Sequence, residues 1–251
     1  MDLWASPAKI IGLVKFQYIE KTQRTYPKNG EKMNRMEFFN SRASTWDERC
    51  RYDHAKIKEI LDMLPIRKGD DILDVGTGTG ILIPFLLERI GEKGSIIAVD
   101  MAEKMIEIAK KKFCHENVFF IADNVFTAGL PEEVFDLIIC YSVFPHFDNQ
   151  AIAVKLLARH LKTGGTIAIC HSRGRDEINR KHENASRAVA HDHLPPATVV
   201  EEYLEAAGCE IGTLVDTKNL YVLTGRKSHI WSGITTTDTY QTDIEYAGHH
   251  P

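Results

Sequence analysis

Along the middle of the chain, short runs of branched apolar residues alternate with longer stretches in which apolar residues recur every three or four positions. Runs of the first kind predict strands buried on both faces of a sheet; stretches of the second predict helices with one apolar face. The leading run, Asp71-Ile72-Leu73-Asp74-Val75, breaks into Gly76-Thr77-Gly78-Thr79-Gly80 before an apolar, helix-length segment resumes. Ahead of it Ile57, Ile60, Leu61 and Leu64 keep helical spacing up to Pro65, so a helix leads into that strand. Further strands are predicted over 94–100, 118–124, 135–142 and 161–169, with helices over 102–113 and 150–161, the second turning Ile152, Leu156 and Leu157 inward. Strands alternating with helices argue for right-handed crossovers, hence a parallel sheet with helices on both faces. Residues 209–215 and 220–226, joined through Lys218-Asn219, predict a closing hairpin.

The two ends lack this regularity. Residues 1–36 mix apolar residues with Lys, Gln and Thr around Tyr26-Pro27 and Asn29-Gly30, predicting a short helix and a turn-rich link. After Lys227 there is little periodicity, and a disordered or loosely packed extension is expected.

The glycine turn carries the first chemical signal. A strand, a glycine-rich bend and a helix let a ligand approach the backbone closely and face the amides that open the helix. A dinucleotide turn reads G-x-G-x-x-G around a pyrophosphate. This chain reads G-x-G-x-G, with Asp74 two residues ahead of Gly76; a carboxylate there repels a pyrophosphate and suits an ammonium group. The stretch resembles the first motif of class I S-adenosylmethionine-dependent methyltransferases, in which the turn packs against the methionine moiety and the adenosyl sugar. The downstream order agrees. Asp100 ends the second strand, where the family's carboxylate accepts the ribose hydroxyls, and Asp123, followed by Asn124, falls where the family bonds the adenine amino group. Leu161-Lys162-Thr163-Gly164-Gly165 resembles the family's L-K-P-G-G turn, with Thr163 in place of proline. The resemblance runs from about 37 to 227 and implies a Rossmann-like, seven-stranded, mostly parallel sheet of order 3-2-1-4-5-7-6 with an antiparallel last strand. Within it, residues 37–48 resemble the segment that precedes the first motif in ubiquinone- and menaquinone-type methyltransferases and lies across the cofactor or acceptor pocket; Trp46 is either a wall of that pocket or an ordinary helix residue. The expected organisation is an N-terminal arm over 1–45, a methyltransferase domain over 46–227 and an extension over 228–251.

Length and composition fit one sizeable core. The chain has 251 residues, 43% of them hydrophobic, which suits a single domain with additions. A formal charge of -4 gives no general basic field, so nucleic acid is not expected as a partner, and no stretch approaches the length of a membrane span. Nor does Tyr141-Ser142-Val143-Phe144 match the Asn-Pro-Pro-Tyr type of motif tied to base methylation. Cys50, Cys114, Cys140, Cys170 and Cys209 show no C-x-x-C pairing, which fits a reducing cytoplasm. A homodimer is compatible with the sequence but not selected by it.

Methyl transfer needs donor and acceptor held in line and, for some acceptors, a base. Asp74, Gly76, Gly78, Gly80, Asp100, Met101, Asp123, Asn124 and Tyr141 are the candidates for holding S-adenosylmethionine, with Met101 either covering the adenine or belonging to the core. His146, just past the fourth strand, and His171, ending the fifth, are the candidate bases. Cys140 reads as a buried thiol rather than a methyl acceptor. Between the fifth strand and Pro196 lies an insertion, 171–195, rich in charge and histidine and placed to act as a lid over a small-molecule acceptor. His182 shares a helical face with Asn179, and with His146, His171, His191 and His193 it raises a metal-assisted alternative, although no established ligand spacing is present and no metal ligand is assigned. A non-catalytic S-adenosylmethionine-binding module is the alternative from another class. Nicotinamide chemistry is disfavoured by the glycine spacing and Asp74.

Overall fold

The computed structural model describes residues 35–228; the short helix and link expected within 1–34 and the tail over 229–251 lie outside the described residues. The chain enters through helices α1 (Arg35–Arg42), α2 (Trp46–Cys50) and α3 (His54–Asp62), with a 3-10 turn, Ala43–Thr45, between the first two. There follow β1 (Asp71–Val75), α4 (Ile83–Ile90), β2 (Ser95–Asp100), α5 (Glu103–Lys112), β3 (Val118–Ala122), β4 (Phe135–Tyr141), a 3-10 turn Phe144–His146, and α6 (Gln150–His160). The remainder is β5 (Leu161–His171), α7 (Arg175–Glu183), α8 (Ala197–Ala206), β6 (Cys209–Asp216) and β7 (Tyr221–Lys227).

The strands form one sheet in the order β3-β2-β1-β4-β5-β7-β6. β1 pairs in parallel with β2 and with β4, while β7 runs antiparallel to β5 and β6. The expected order and the antiparallel closing strand are therefore those of the molecule. β1 shows why the apolar runs are continuous: Leu73 and Val75 pack into a core on one face, Ile72 into a core on the other, and all three are almost fully buried. Each such side chain contributes roughly 1.5–3 kcal/mol by leaving water, and a polar residue at any of them would expose a seam to one helical layer.

Local differences from the periodic reading have simple causes. Ile152 is only half-buried, because α6 buries Ala153, Val154, Leu156 and Leu157 instead. At the start of β5 the pairing jumps from Phe135↔Leu161 to Leu137↔Thr166, so Lys162 to Gly165 bow out of register while staying attached to the strand. Residues 35–45, at the end of the expected arm, lie on the domain: Ala43, Ala102 and Met105 form a small core with Phe39 and Trp46 packed on it.

The arrangement provides a place for a ligand. β1 has β2 on one side and β4 on the other, so the connections leaving β1 and β4 depart in opposite directions and open a crevice at their carboxyl ends.

Candidate active site

The turn after β1 is shaped by what surrounds it. Gly76 and Thr77 donate their amides to the Val99 carbonyl at 2.8 and 3.1 Å, which pulls the bend toward β2. Gly76 has φ +68°, and a Cβ there would come within 2.6 Å of Val143 Cβ. Both the dihedral and the neighbour demand glycine. Gly80 answers to a different need: a Cβ would meet the Phe113 ring at 2.9 Å, so this glycine lets the start of α4 pack against the end of α5.

Three carboxylates stand around the bend. Asp74, 1% exposed, accepts the Thr77 hydroxyl at 2.6 Å, and burial, with a smaller contribution from the Asp100 charge, pushes its carboxyl up to about 7 despite that hydrogen bond. Asp100 accepts the amides of Gly78 at 2.9 Å and Ala102 at 2.8 Å, one on each oxygen, so it braces the glycine turn while an acceptor lone pair remains on each. Burial raises the Asp100 carboxyl above the ordinary range. Asp123 accepts the Asn124 amide at 2.7 Å, and the Asn124 side chain in turn accepts the Phe126 amide at 3.0 Å, closing the loop after β3. Two raised carboxyls side by side at a strand switch point make a site that favours a cation.

Asp74, Gly76, Gly78, Asp100, Met101, Asp123, Asn124, Tyr141 and His146 all line one cleft of about 380 Å³. The structure thus brings together nine of the eleven candidate residues. Gly80 and His171 are not among its walls. Gly80 serves the packing just described; His171 is 3% exposed and its Nε2 has no hydrogen-bond partner, with burial, and then the fields of His146 and His182, lowering it to about 3. An imidazole so placed stays neutral and forms no part of the cleft wall. Met101 is 45% exposed, an apolar side chain left uncovered beside the cleft. Tyr141 turns its hydroxyl to Ser172 at 3.0 Å, and burial pushes it up to about 12.

The segment before the first strand closes the cleft from above. Trp46 lies over the turn, its Nε1 3.8 Å from where a Cβ on Gly78 would stand, and donates to the Tyr52 hydroxyl at 2.8 Å. Asp47 fastens the segment by accepting from Thr79 and from Lys112. Trp46 is therefore both a packed helix residue and a wall of the cleft. Phe39, Phe126 and Phe147 add aromatic rings to the cleft walls.

Two residues that the sequence did not single out bear on the site. Asp192 lies 2.6 Å from His146 Nδ1, and Arg35 binds both Asp192 and Asp148. The only local signal for Asp192 is the alternation of exposure in His191, Asp192, His193 and Leu194, where the acid shares the buried phase with leucine. That alternation also disposes of the wider histidine cluster, since His191 and His193 face solvent and His182 Nδ1 is engaged by the Asp192 carbonyl at 2.6 Å. Among the described residues no three His, Cys, Asp or Glu side chains are grouped to hold a metal ion. Cys140 is fully buried in the core, and burial raises its thiol.

Comparisons with known proteins agree with this geometry. Residues 72–165 match the family described as a methyltransferase domain. The chain is 34% identical over 132 residues to a malonyl-[acyl-carrier protein] O-methyltransferase of Acetivibrio thermocellus, covering 52% of this chain and 46% of that one. It is 28% identical over 116 residues to a ubiquinone/menaquinone biosynthesis C-methyltransferase of Francisella philomiragia, covering 45% and 46%. The matches thus span about half the length of these curated relatives. In fold, the chain superposes on an S-adenosylmethionine-dependent methyltransferase from Aquifex aeolicus with TM-score 0.60 at 23% identity, covering 75% of this chain and 98% of that one. It superposes on a chain of the Haloferax volcanii complex of the Trm112 methyltransferase activator with a putative methyltransferase with TM-score 0.64 at 16% identity, covering 76% and 98%.

Proposed function

We propose that this chain, which carries a class I S-adenosylmethionine-dependent methyltransferase domain, moves a methyl group from S-adenosylmethionine to a small-molecule acceptor. The observation that carries the reading is the set of three carboxylates, Asp74, Asp100 and Asp123, standing around one glycine turn in a single cleft. A buried acid raised to about 7, mainly by burial and further by the Asp100 charge, gains most from a cationic ligand, which the ammonium of the methionine moiety supplies. Asp100, with an acceptor lone pair left on each oxygen, is suited to a vicinal diol, and Asp123 and Asn124 to an amino-substituted ring. Bound there, the sulfonium provides a methyl carbon already activated for displacement, which leaves the protein the tasks of orientation and water exclusion.

The acceptor would enter from the side of Phe39, Phe126 and Phe147; residues 171–195, which supply no lining residue, would bear on it only through the contact of Asp192 with His146. His146 is the base we assign on that side; His171, buried behind the wall, we leave out of the reaction. The relatives' names point to small-molecule and carrier-bound acceptors, which suits a chain of net charge -4 better than a nucleic acid does. Five free cysteines are in keeping with a cytoplasmic setting. No helix among the described residues is long and apolar enough to cross a membrane.

Isothermal titration of the full chain with S-adenosylmethionine, and separately with NAD, tests the reading. Binding of the sulfonium compound alone is expected, with the Asp100→Ala variant weakened about tenfold or more through loss of charged hydrogen bonds. Preference for NAD, or an Asp100→Ala variant of unchanged affinity, would sink it.

A further inference from the structure

His146 closes the 3-10 turn that follows β4, and its Nδ1 stands 2.6 Å from Asp192 Oδ2. Asp192 belongs to the segment between β5 and α8, 46 residues further along, and its side chain is 1% exposed. A carboxylate taken out of water to that extent needs partners. Arg35 supplies them, with Nε 3.0 Å from each oxygen and Nη2 2.6 Å from Oδ1. Burial by itself would raise the Asp192 carboxyl, yet hydrogen bonds from His146 and Arg35 hold it below the ordinary range. An ionised carboxylate only accepts, so the proton of a neutral His146 ring must sit on Nδ1 and the lone pair on Nε2.

The backbone around Asp192 is fixed as firmly as its side chain. His182 Nδ1 holds the Asp192 carbonyl at 2.6 Å, and Asn179 pairs with both the amide and the carbonyl of Leu194 at 2.7 and 3.0 Å. Gln150 donates to the His193 carbonyl at 2.8 Å. The His146 ring itself is confined by Phe39 on one flank and His182 on another, with centroids 5.1 and 5.0 Å away. His146 lines the cleft, and no described residue hydrogen-bonds its Nε2.

We propose that Asp192 is a positioning residue which, anchored by Arg35, fixes His146 as the Nδ1-protonated tautomer and directs a basic Nε2 to an acceptor that must lose a proton. This rests on the methyl-transfer reading and narrows its acceptor class to a phenol, an enol or a thiol. In the step it serves, the acceptor's O–H or S–H proton passes to His146 Nε2. The electron pair so released forms the bond to the methyl carbon, and the carbon–sulfur bond breaks with its electrons staying on sulfur as a neutral thioether. The imidazolium left behind faces the Asp192 carboxylate, which offsets its charge. A carboxylate acceptor would need no base and would call for a free cation. Arg35 is the one Lys or Arg among the described residues lining the cleft, and Asp192 and Asp148 already occupy it.

The test is the ring nitrogen spectrum of the full chain with 15N-labelled histidine, recorded at a pH high enough that the ring signals no longer change with pH. His146, assigned by its loss in His146→Gln, is expected as the Nδ1–H tautomer in the wild type. In Asp192→Asn that preference is expected to fall to a mixture, and in Asp192→Glu to be largely regained, which a merely structural role for Asp192 would not predict. An Nε2–H ring in the wild type, or an unchanged spectrum in Asp192→Asn, overturns the proposal. The wild-type result stands even if the variants fail to fold. Failure of the full chain to bind S-adenosylmethionine would count against the methyl-transfer reading instead, leaving the tautomer unaltered, so the two can fail separately.

Discussion

The Thr77 hydroxyl donates to Asp74 across 2.6 Å and is the one hydrogen-bond partner of that carboxylate among the described residues. One neutral donor is meagre support for a buried charge. Ligand binding and protonation therefore compete at Asp74, and the competition can be measured.

With its carboxyl raised to about 7, Asp74 carries a proton in the folded protein where an unfolded chain, titrating near 3.8, has lost it. Folding then binds a proton between those values, so the contribution of Asp74 to stability is greatest at low pH and declines as pH rises toward 7. A cationic ligand reverses the preference, because only the carboxylate pairs with it. Affinity for S-adenosylmethionine should rise by up to about tenfold per pH unit as pH approaches 7 from below, with protons released on binding. It should level off before the ligand's own amine, near the α-amino range of about 7.7–8.0, loses its charge. Asp74→Asn should remove this rising limb and weaken binding about tenfold to a hundredfold at neutral pH. Calorimetry in buffers of different ionisation enthalpy reads the proton release, and a pH-independent affinity in the wild type would contradict the assignment.

Gly76→Ala offers a cleaner test of the bend. The substitution meets both a left-handed dihedral, φ +68°, and the side chain of Val143. A cost of about 1–3 kcal/mol is expected from strain and overpacking. Adding Val143→Ala removes the two Val143 methyls but keeps its Cβ 2.6 Å from the new methyl, so it should return only part of the packing share and leave the dihedral share. Urea unfolding of Gly76→Ala, Val143→Ala and the double variant measures both, and a Gly76→Ala protein as stable as the wild type would show that the turn is softer than its surroundings imply.

How far the sequence disclosed these features depended on the range of the interaction. β1 to β5 could be seen because each strand states its own burial through a continuous apolar run, and the turn after β1 because three glycines and Asp74 lie within seven positions. Asp100 and Asp123 were legible for the same reason, each ending its strand or following it directly. The sheet order came from resemblance, since nothing in a strand's composition names its neighbour. Asp192 was hidden: its partners Arg35 and His146 lie 157 and 46 residues away, and an acid between two histidines looks like surface. The same limit applies to His171, which is buried and absent from the cleft wall. A histidine at the end of a strand has no local mark that separates facing the crevice from being sealed beneath it, and the seal here is made with Tyr221 of β7, whose ring lies 6.1 Å away edge-on.

That seal has a consequence for acid stability. His171 is lowered to about 3 by burial, and further by the fields of His146 and His182, against an ordinary value of 6.5. The unfolded chain therefore binds a proton at His171 at pH values where the folded protein does not, and the stability contributed by keeping it neutral is lost as pH falls below 6.5. At pH 5 the loss amounts to about 2 kcal/mol relative to pH 8, from 1.36 kcal/mol per unit over roughly 1.5 units. His160, lowered by burial as well, adds in the same direction, so the acid limb will not vanish on removing one ring. His171→Leu should narrow the difference in unfolding free energy between pH 8 and pH 5 by about 2 kcal/mol. It should also remove the cost of the unpartnered Nε2, about 1–3 kcal/mol at any pH, less whatever the change of shape takes back. Because His171 lies behind the wall of the cleft, affinity for S-adenosylmethionine should stay within about twofold of wild type, a difference of about 0.4 kcal/mol. Urea midpoints at the two pH values and a single titration separate the outcomes. A His171→Leu protein with an unaltered acid limb would place the proton elsewhere, and one that no longer bound the cofactor would return His171 to the site.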